Sequence, residues 1–242
     1  MAPLATPSRS LDALRESLVE RLRELRGPMA PIPRTLLELE LRKVEVPGGA
    51  VVAVKPDDWP ALREEVAELG WEAPYWAAPW PSGLALAHEL AGRDLRGKRV
   101  LELGCGLGIA SAVAARQGAT VLATDADPCA AAFAAHTIAL NEQTAEVAVA
   151  RWPDLAEHHR HDPFDLLVAA DVLYRRDNAE DLARALPLLV APDGEALVAD
   201  PGRAGAAELW PMLRRRWRRA TTAAPGGDEV ELHALRRRGT DP

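Results

Sequence analysis

Arg99-Val-Leu-Glu-Leu-Gly-Cys-Gly-Leu-Gly108, an alanine-rich run, and Thr120-Val-Leu-Ala-Thr-Asp125 together decide the fold. Val100, Leu101 and Leu103 make an apolar run of the length expected for a strand buried on both faces. Gly104, Gly106 and Gly108 follow at alternate positions, where a backbone can turn with positive φ and approach a ligand with no Cβ in the way. Residues 109–117 predict a helix closed by Gly118, and 120–124 predict a second strand that ends at Asp125. This is a βαβ unit with a glycine turn at the carboxyl end of one strand and an acid at that of the next. Ligands of open α/β sheets sit at that edge, where the acid can accept bonds from ribose hydroxyls.

The spacing also says which nucleotide to expect. A dinucleotide fingerprint reads Gly-x-Gly-x-x-Gly, whereas this chain has Gly-x-Gly-x-Gly preceded by Glu102. A carboxylate there would repel a pyrophosphate and suits a cationic ligand. The candidate cofactor-binding residues of this unit are Glu102, Gly104, Cys105, Gly106, Gly108, Asp125 and its neighbour Ala126. A purely structural turn is the alternative, but a glycine costs about 1 kcal/mol where no turn needs it.

Working toward the N-terminus, Pro74-Tyr-Trp-Ala-Ala-Pro-Trp-Pro-Ser-Gly83 packs three aromatics into six residues of a chain that is 5% aromatic. Ser82 is the expected N-cap of a helix over residues 84–90, and a helix N-terminus attracts a carboxylate. Trp80 beside it is a candidate cofactor contact, and Trp76 could equally staple the segment to the core. Before this stretch, Leu11, Leu14, Leu18, Leu22 and Leu25 form one stripe of an amphipathic helix that Pro28 ends, expected to dock on its own domain. Residues 43–46 and 50–54 flank Pro-Gly-Gly as a small hairpin, and 57–69 predict a short helix. Residues 1–72 therefore form an α+β accessory segment, too short and proline-broken to bury much core alone.

Toward the C-terminus, residues 128–140 predict a helix and 145–150 a third strand. Trp152 follows that strand and is a candidate to stack on adenine; packing in a loop is the other reading. His158, His159 and His161 lack an acid or cysteine at metal-ligand spacing, so a solvated loop and no metal are expected. Residues 164–170 predict a fourth strand ending in Asp171-Val-Leu-Tyr174. An acid at the end of a buried strand stands where a substrate would meet the cofactor, so Asp171 is the leading catalytic candidate and a candidate cofactor contact as well. A helix over 177–190, a Pro192-Asp-Gly194 turn and a fifth strand over 195–199 follow, the strand ending in Asp200-Pro-Gly-Arg203. A helix over 206–219 would carry Arg214, Arg215, Arg216, Arg218 and Arg219, and two strands around Pro-Gly-Gly-Asp finish the chain.

The 242 residues suffice for one good-sized domain plus an appendage, and the formal net charge of −7 argues against nucleic acid as a partner. Cys105 and Cys129 make no disulfide framework, no apolar run reaches the length of a membrane span, and the start lacks an apolar leader. A reducing, cytoplasmic setting is expected.

Pro74-Tyr-Trp-Ala77, Trp80-Pro-Ser-Gly83, the glycine motif, Asp171-x-x-Tyr174 and Asp200-Pro-Gly-Arg203 together resemble the class I S-adenosylmethionine-dependent methyltransferases. More narrowly, they resemble the seven-strand protein-lysine methyltransferases and the branch acting on the electron transfer flavoprotein beta subunit. The resemblance covers residues 74–237. It implies a Rossmann-like α/β sheet of seven strands, helices on both faces and an antiparallel terminal hairpin, here as a domain over 73–242. It implies S-adenosyl-L-methionine as methyl donor, without metal, and a protein lysine as acceptor; a monomer is expected, though the sequence does not fix the oligomeric state. It also implies that the aromatic-proline segment lies over the cofactor, with Asp171 and Tyr174 lining the lysine site. Glu102 stands where those relatives more often carry Asp, and Ala204 where Pro follows their Asp-Pro-Gly-Arg. Small-molecule, ribosomal-protein and RNA methylation, and a non-catalytic binding module, remain as other readings.

Overall fold

Apolar runs that alternate with helix-forming segments leave the chain few ways to bury both faces of its strands, and the computed structural model shows the one it takes. It describes residues 10–224 and 229–239. Helix α1 (Leu11–Arg26), capped by Ser10, leads through a short α2 (Arg34–Leu37) to the antiparallel pair β1 (Leu39–Val46) and β2 (Gly49–Pro56). Helix α3 (Trp59–Glu68), a 3-10 turn (Tyr75–Ala77) and α4 (Pro81–Ala91) precede the central unit. That unit is β3 (Arg99–Leu103), α5 (Ile109–Arg116) and β4 (Thr120–Asp125), followed by α6 (Pro128–Leu140) and β5 (Glu146–Val149). Then come α7 (Trp152–His158), β6 (Phe164–Ala170), α8 (Arg176–Leu189), β7 (Val190–Asp200) and α9 (Ala204–Leu213). The hairpin β8 (Trp217–Ala223) and β9 (Glu231–Arg237) closes the chain.

Seven strands form one sheet in the order β5-β4-β3-β6-β7-β9-β8, parallel from β5 to β7 and antiparallel at β9 and β8. Each central strand feeds two cores. Val100 of β3 joins the cluster formed with α4, α5 and α6, while Leu101 and Leu103 join the cluster under α8 and α9. The order reverses between β3 and β6, which places the ligand-binding crevice of an open α/β sheet beyond their carboxyl ends.

The leucine stripe of α1 behaves as its spacing demands. Leu14, Leu18 and Leu22 are buried in the cluster that contains Phe133 and Ile138 of α6. The hairpin is sewn to the same helix. Val52 exchanges backbone hydrogen bonds with the Asn141 amide (2.9 and 2.8 Å), and the Val54 N–H donates to Thr137 Oγ1 at 3.2 Å. Residues 10–72 thus add to the core of the body and build none of their own.

Four local expectations change. Trp80, not Ser82, is the N-cap of α4, because Pro81 takes the first helical position, where its missing N–H is not needed. The histidine stretch is partly helical: Leu155 and Ala156 pull α7 onto the core, and the His159 ring packs 5.0 Å from that of Phe164. Pro192-Asp-Gly194 is no separate turn but an irregular part of β7, where pairing jumps from Phe164–Val190 to Leu166–Glu195. The arginine run is not on a helix. Trp217 must be buried and β9 needs a partner, so α9 stops at Leu213, and Arg218 and Arg219 lie exposed on the edge strand β8. Charges on a sheet edge discourage pairing with another chain. The Pro-Gly-Gly-Asp stretch of this hairpin lies outside the described residues.

Candidate active site

The carboxyl ends of β3, β4, β6 and β7 meet at one edge, and every candidate on them is built from its strand outward. On β3, Glu102 points to the α5 side, buried, and accepts a hydrogen bond from the Ser111 hydroxyl. Burial disfavours its charged form and pushes its pKa up to about 8. The turn after it has positive φ at Gly104 (69°), Gly106 (49°) and Gly108 (75°). The three glycines serve different neighbours. A Cβ on Gly104 would stand 3.1 Å from Val172, and one on Gly106 would stand 3.2 Å from the Trp76 carbonyl oxygen. A Cβ on Gly108 would collide with the Ala134 backbone at 2.6 Å, so Gly108 allows α5 and α6 to close-pack. Cys105 is buried, and its N–H donates to the Thr124 carbonyl at 2.9 Å.

Asp125 ends β4 and ties the turn down. Its Oδ2 accepts from the Gly106 N–H and its Oδ1 from the Asp127 N–H, both at 3.0 Å. Desolvation outweighs these bonds and raises its pKa to about 6. Ala126 next to it is exposed, and Trp152 at the start of α7 is half-buried against the second core cluster.

The aromatic-proline segment roofs this edge. Trp76 is pinned to α6, its ring 5.2 Å from Phe133. Trp80 donates its ring N–H to the Tyr75 carbonyl at 2.5 Å and meets Trp59 edge-on at 5.4 Å. Ser82 in the first turn of α4 is 1% exposed, and its hydroxyl has no hydrogen-bond partner. A buried polar atom left without a partner is uncommon and calls for a reason.

Asp171 follows β6 with φ of 54°, a left-handed conformation that Asp tolerates better than most residues. Its N–H donates to the Ala199 carbonyl at 2.9 Å. Its carboxylate forms a two-pronged ion pair with Arg203, Oδ1 to Nε at 2.6 Å and Oδ2 to Nη2 at 2.9 Å. Asp200 holds the turn that aims this arginine, its Oδ2 accepting from the Gly202 and Arg203 N–H groups at 2.8 and 2.9 Å. Tyr174 is 56% exposed, its ring 6.1 Å from that of Tyr75. Burial and then the charge of Asp125 raise its pKa, which ties the Asp171–Tyr174 loop electrostatically to the end of β4.

The edge thus brings together Glu102, the glycine turn, Asp125, Asp171 and Tyr174. Sequence reasoning quoted Asp200, Arg203 and Tyr75 only as parts of motifs, with no role of their own, and did not single out Ser111. The signal for the first two was present: Asp200 and Arg203 end the strand adjacent to the one Asp171 ends. Among the described residues no group of three or more His, Cys, Asp or Glu is placed to hold a metal, and no helix is long and apolar enough to cross a membrane.

The donor set decides what could bind. Asp125, the glycine turn it ties down and an unpartnered buried hydroxyl at Ser82 fit a nucleoside with an amino-acid-like tail. They offer a phosphate no cation. Comparison with known proteins agrees with this chemistry. The family model described as lysine methyltransferase matches residues 59–209. The electron transfer flavoprotein beta subunit lysine methyltransferase of Danio rerio is 38% identical over 139 residues, 54% of this chain and 51% of that protein. Its Xenopus laevis counterpart is 35% identical over 159 residues, 62% and 57% of the two chains. The chain spans about half the length of these curated relatives. Among solved structures, a ribosomal protein L11 methylase from Lactobacillus delbrueckii subsp. bulgaricus superposes with a TM-score of 0.55 at 20% identity, over 67% of this chain and 81% of that one, and so shares the fold.

Proposed function

Since this chain belongs to the lysine methyltransferase family, we propose that it is an S-adenosylmethionine-dependent protein-lysine N-methyltransferase, acting on the electron transfer flavoprotein beta subunit or a similar protein. One observation carries the reading. The glycine turn after β3 lies against the Asp171–Tyr174 loop, close enough that a Cβ added at Gly104 would stand 3.1 Å from the Val172 side chain, which supports a nucleoside site and an amine site on one edge.

When bound, S-adenosylmethionine supplies a methyl group on an already activated sulfonium, so the chain's task is binding and alignment. The turn of Gly104, Cys105, Gly106 and Gly108 lines its site, held in place by Val172, Trp76 and α6. Asp125 with Ala126 takes the ribose, and Glu102, bonded to the Ser111 hydroxyl, braces the turn from the α5 side. Trp80 and the α4 N-terminus with Ser82 take the carboxylate end, and Trp152 the adenine. Asp171 orients the incoming ammonium. Tyr174 and Tyr75 form an aromatic wall that can hold the arriving ammonium by cation–π contact, while displacement of water from that wall favours the neutral, attacking form. A lysine in water, with a pKa near 10.4, is nearly all charged. The buried, unpaired Cys105 and Cys129 suit a reducing compartment such as the cytoplasm.

The test is transfer of a labelled methyl group to recombinant electron transfer flavoprotein and to a lysate, with mass spectrometry of the labelled bands. Label on lysine supports the reading. Label confined to RNA or small molecules, or absent while the protein is folded, sinks it.

A further inference from the structure

In the lysine-methyltransferase reading, on which this inference rests, Asp171 is the ammonium acceptor, yet both of its oxygens are already taken by Arg203. The pair is unequally exposed. The Asp171 side chain is 11% exposed and that of Arg203 43%, so the arginine can swing into solvent while the acid stays. The backbone fixes the acid independently: Asp171 is held left-handed at φ 54° by its N–H bond to Ala199. A strained non-glycine residue fixed by its surroundings is a mark of a functional position. The turn that carries the arginine is fixed as well, because Asp200, 2% exposed, accepts from the Arg203 N–H.

We propose that Arg203 is a positioning residue that shares the Asp171 carboxylate with the substrate ammonium and so weakens its hold on the charged lysine. The chemical need is plain. A carboxylate free to close on an ammonium would bind lysine well and hold it in the form that cannot attack. With one or both oxygens contested by a guanidinium, the same carboxylate still aligns the amine but stabilises its charge less. The proton then passes more readily to bulk water, which reaches this partly exposed pair.

Two arms test this on the full-length protein. In the kinetic arm, Arg203→Ala should lower KM for the lysine substrate by about fivefold, the worth of one partly exposed ion pair. It should lower kcat at neutral pH and move the alkaline-rising limb of the kcat profile upward by about 0.7, the same fivefold expressed in pH. Arg203→Lys should restore most of both. A merely structural arginine would lower kcat equally at every pH and raise KM or leave it unchanged, and either result overturns the proposal. In the binding arm, Nα-acetyl-lysine N-methylamide is titrated by NMR, without turnover. It should bind Arg203→Ala more tightly than wild type and lose that gain in the Arg203→Ala/Asp171→Asn double variant. Equal or weaker binding to Arg203→Ala overturns the proposal. Wild type that methylates no amine would sink the functional reading alone, since the binding arm decides the competition at Asp171 by itself.

Discussion

Around Glu102 and Asp125 the polar atoms are met by the fold's own backbone or by a buried hydroxyl, whereas Asp171 and Arg203, at the next strand ends along, are met by each other near the surface. The first region is rigid by construction. Its glycines are hemmed in by α6, Trp76 and Val172, and burial raises the pKa of both of its acids. In the second the backbone is pinned, by the Asp171 N–H to Ala199 and by Asp200 under the Arg203 turn, but the side chains that face solvent are held only by one exchangeable ion pair and a tyrosine contact. The contrast suits a site that must hold one invariant ligand and admit a varied one. A nucleoside offers the same groups every time, so a preformed backbone cradle serves it. A protein lysine arrives on a surface, and side chains that can move aside must receive it.

The sharpest way to break that contrast is to add one methyl group on each side. Gly108→Ala drives a Cβ to 2.6 Å from the Ala134 backbone at a φ of 75°, with no flexible side chain to give way. We expect a loss of more than about 3 kcal/mol in urea unfolding, or no soluble protein. Gly202→Ala, at φ 83° beside Arg203, meets nothing within 4 Å. It should cost only the left-handed conformation, about 1 kcal/mol. Equal losses would mean the two regions are equally rigid.

Next in size, Asp171→Ala should lower methyl transfer by about a hundredfold or more while the affinity for S-adenosylmethionine, read by calorimetry, stays at the wild-type value. Retained transfer would remove Asp171 from the chemistry. A parallel fall in nucleoside affinity would merge the two regions into one.

A smaller effect separates them by pH. Glu102 has its pKa raised to about 8 and Asp125 to about 6, so each keeps a proton in the folded chain that the unfolded chain releases. The unfolded state then binds fewer protons, and stability falls as pH rises. The Asp125 contribution is complete below its ordinary value of 3.8 and lost as pH passes about 6. That of Glu102 is complete below 4.5 and lost as pH passes about 8. The melting temperature of the ligand-free protein should therefore decline across this range, and Glu102→Gln should flatten its upper part. An unchanged slope in that variant would move the burden elsewhere.

The same contrast explains what the sequence revealed. The cradle was legible because it is local: strand, glycine turn, helix and acid follow one another within 27 residues, and each carries its own backbone signal. The sheet was legible for the same reason, since β3, β4 and β6 are each a short apolar run that can be read alone. The Asp171–Arg203 pair joins residues 32 apart and became visible only once β6 and β7 were known to be neighbours. Ser82 misled because serine before a helix is a common cap, and Pro81 had already claimed the first turn. The arginine run misled because charge is compatible with a solvated helix and with an edge strand alike. Only the buried Trp217 and the pairing with β9 decide between them.

The smallest expected effect probes the cradle where it is least complete. Ser82 is buried, yet its hydroxyl lacks a partner, and it lies in the first turn of α4, whose free N–H groups favour an anion. A hydroxyl kept for a ligand does nothing for the ligand-free fold. Ser82→Ala should leave the melting temperature of the free protein unchanged or slightly raised, because an unsatisfied buried group is removed. The same change should weaken S-adenosylmethionine binding by about three- to tenfold, the worth of one net hydrogen bond. The opposite pattern, a destabilised free protein with unaltered affinity, would make Ser82 part of the α4 packing and leave the helix N-terminus alone to meet the ligand.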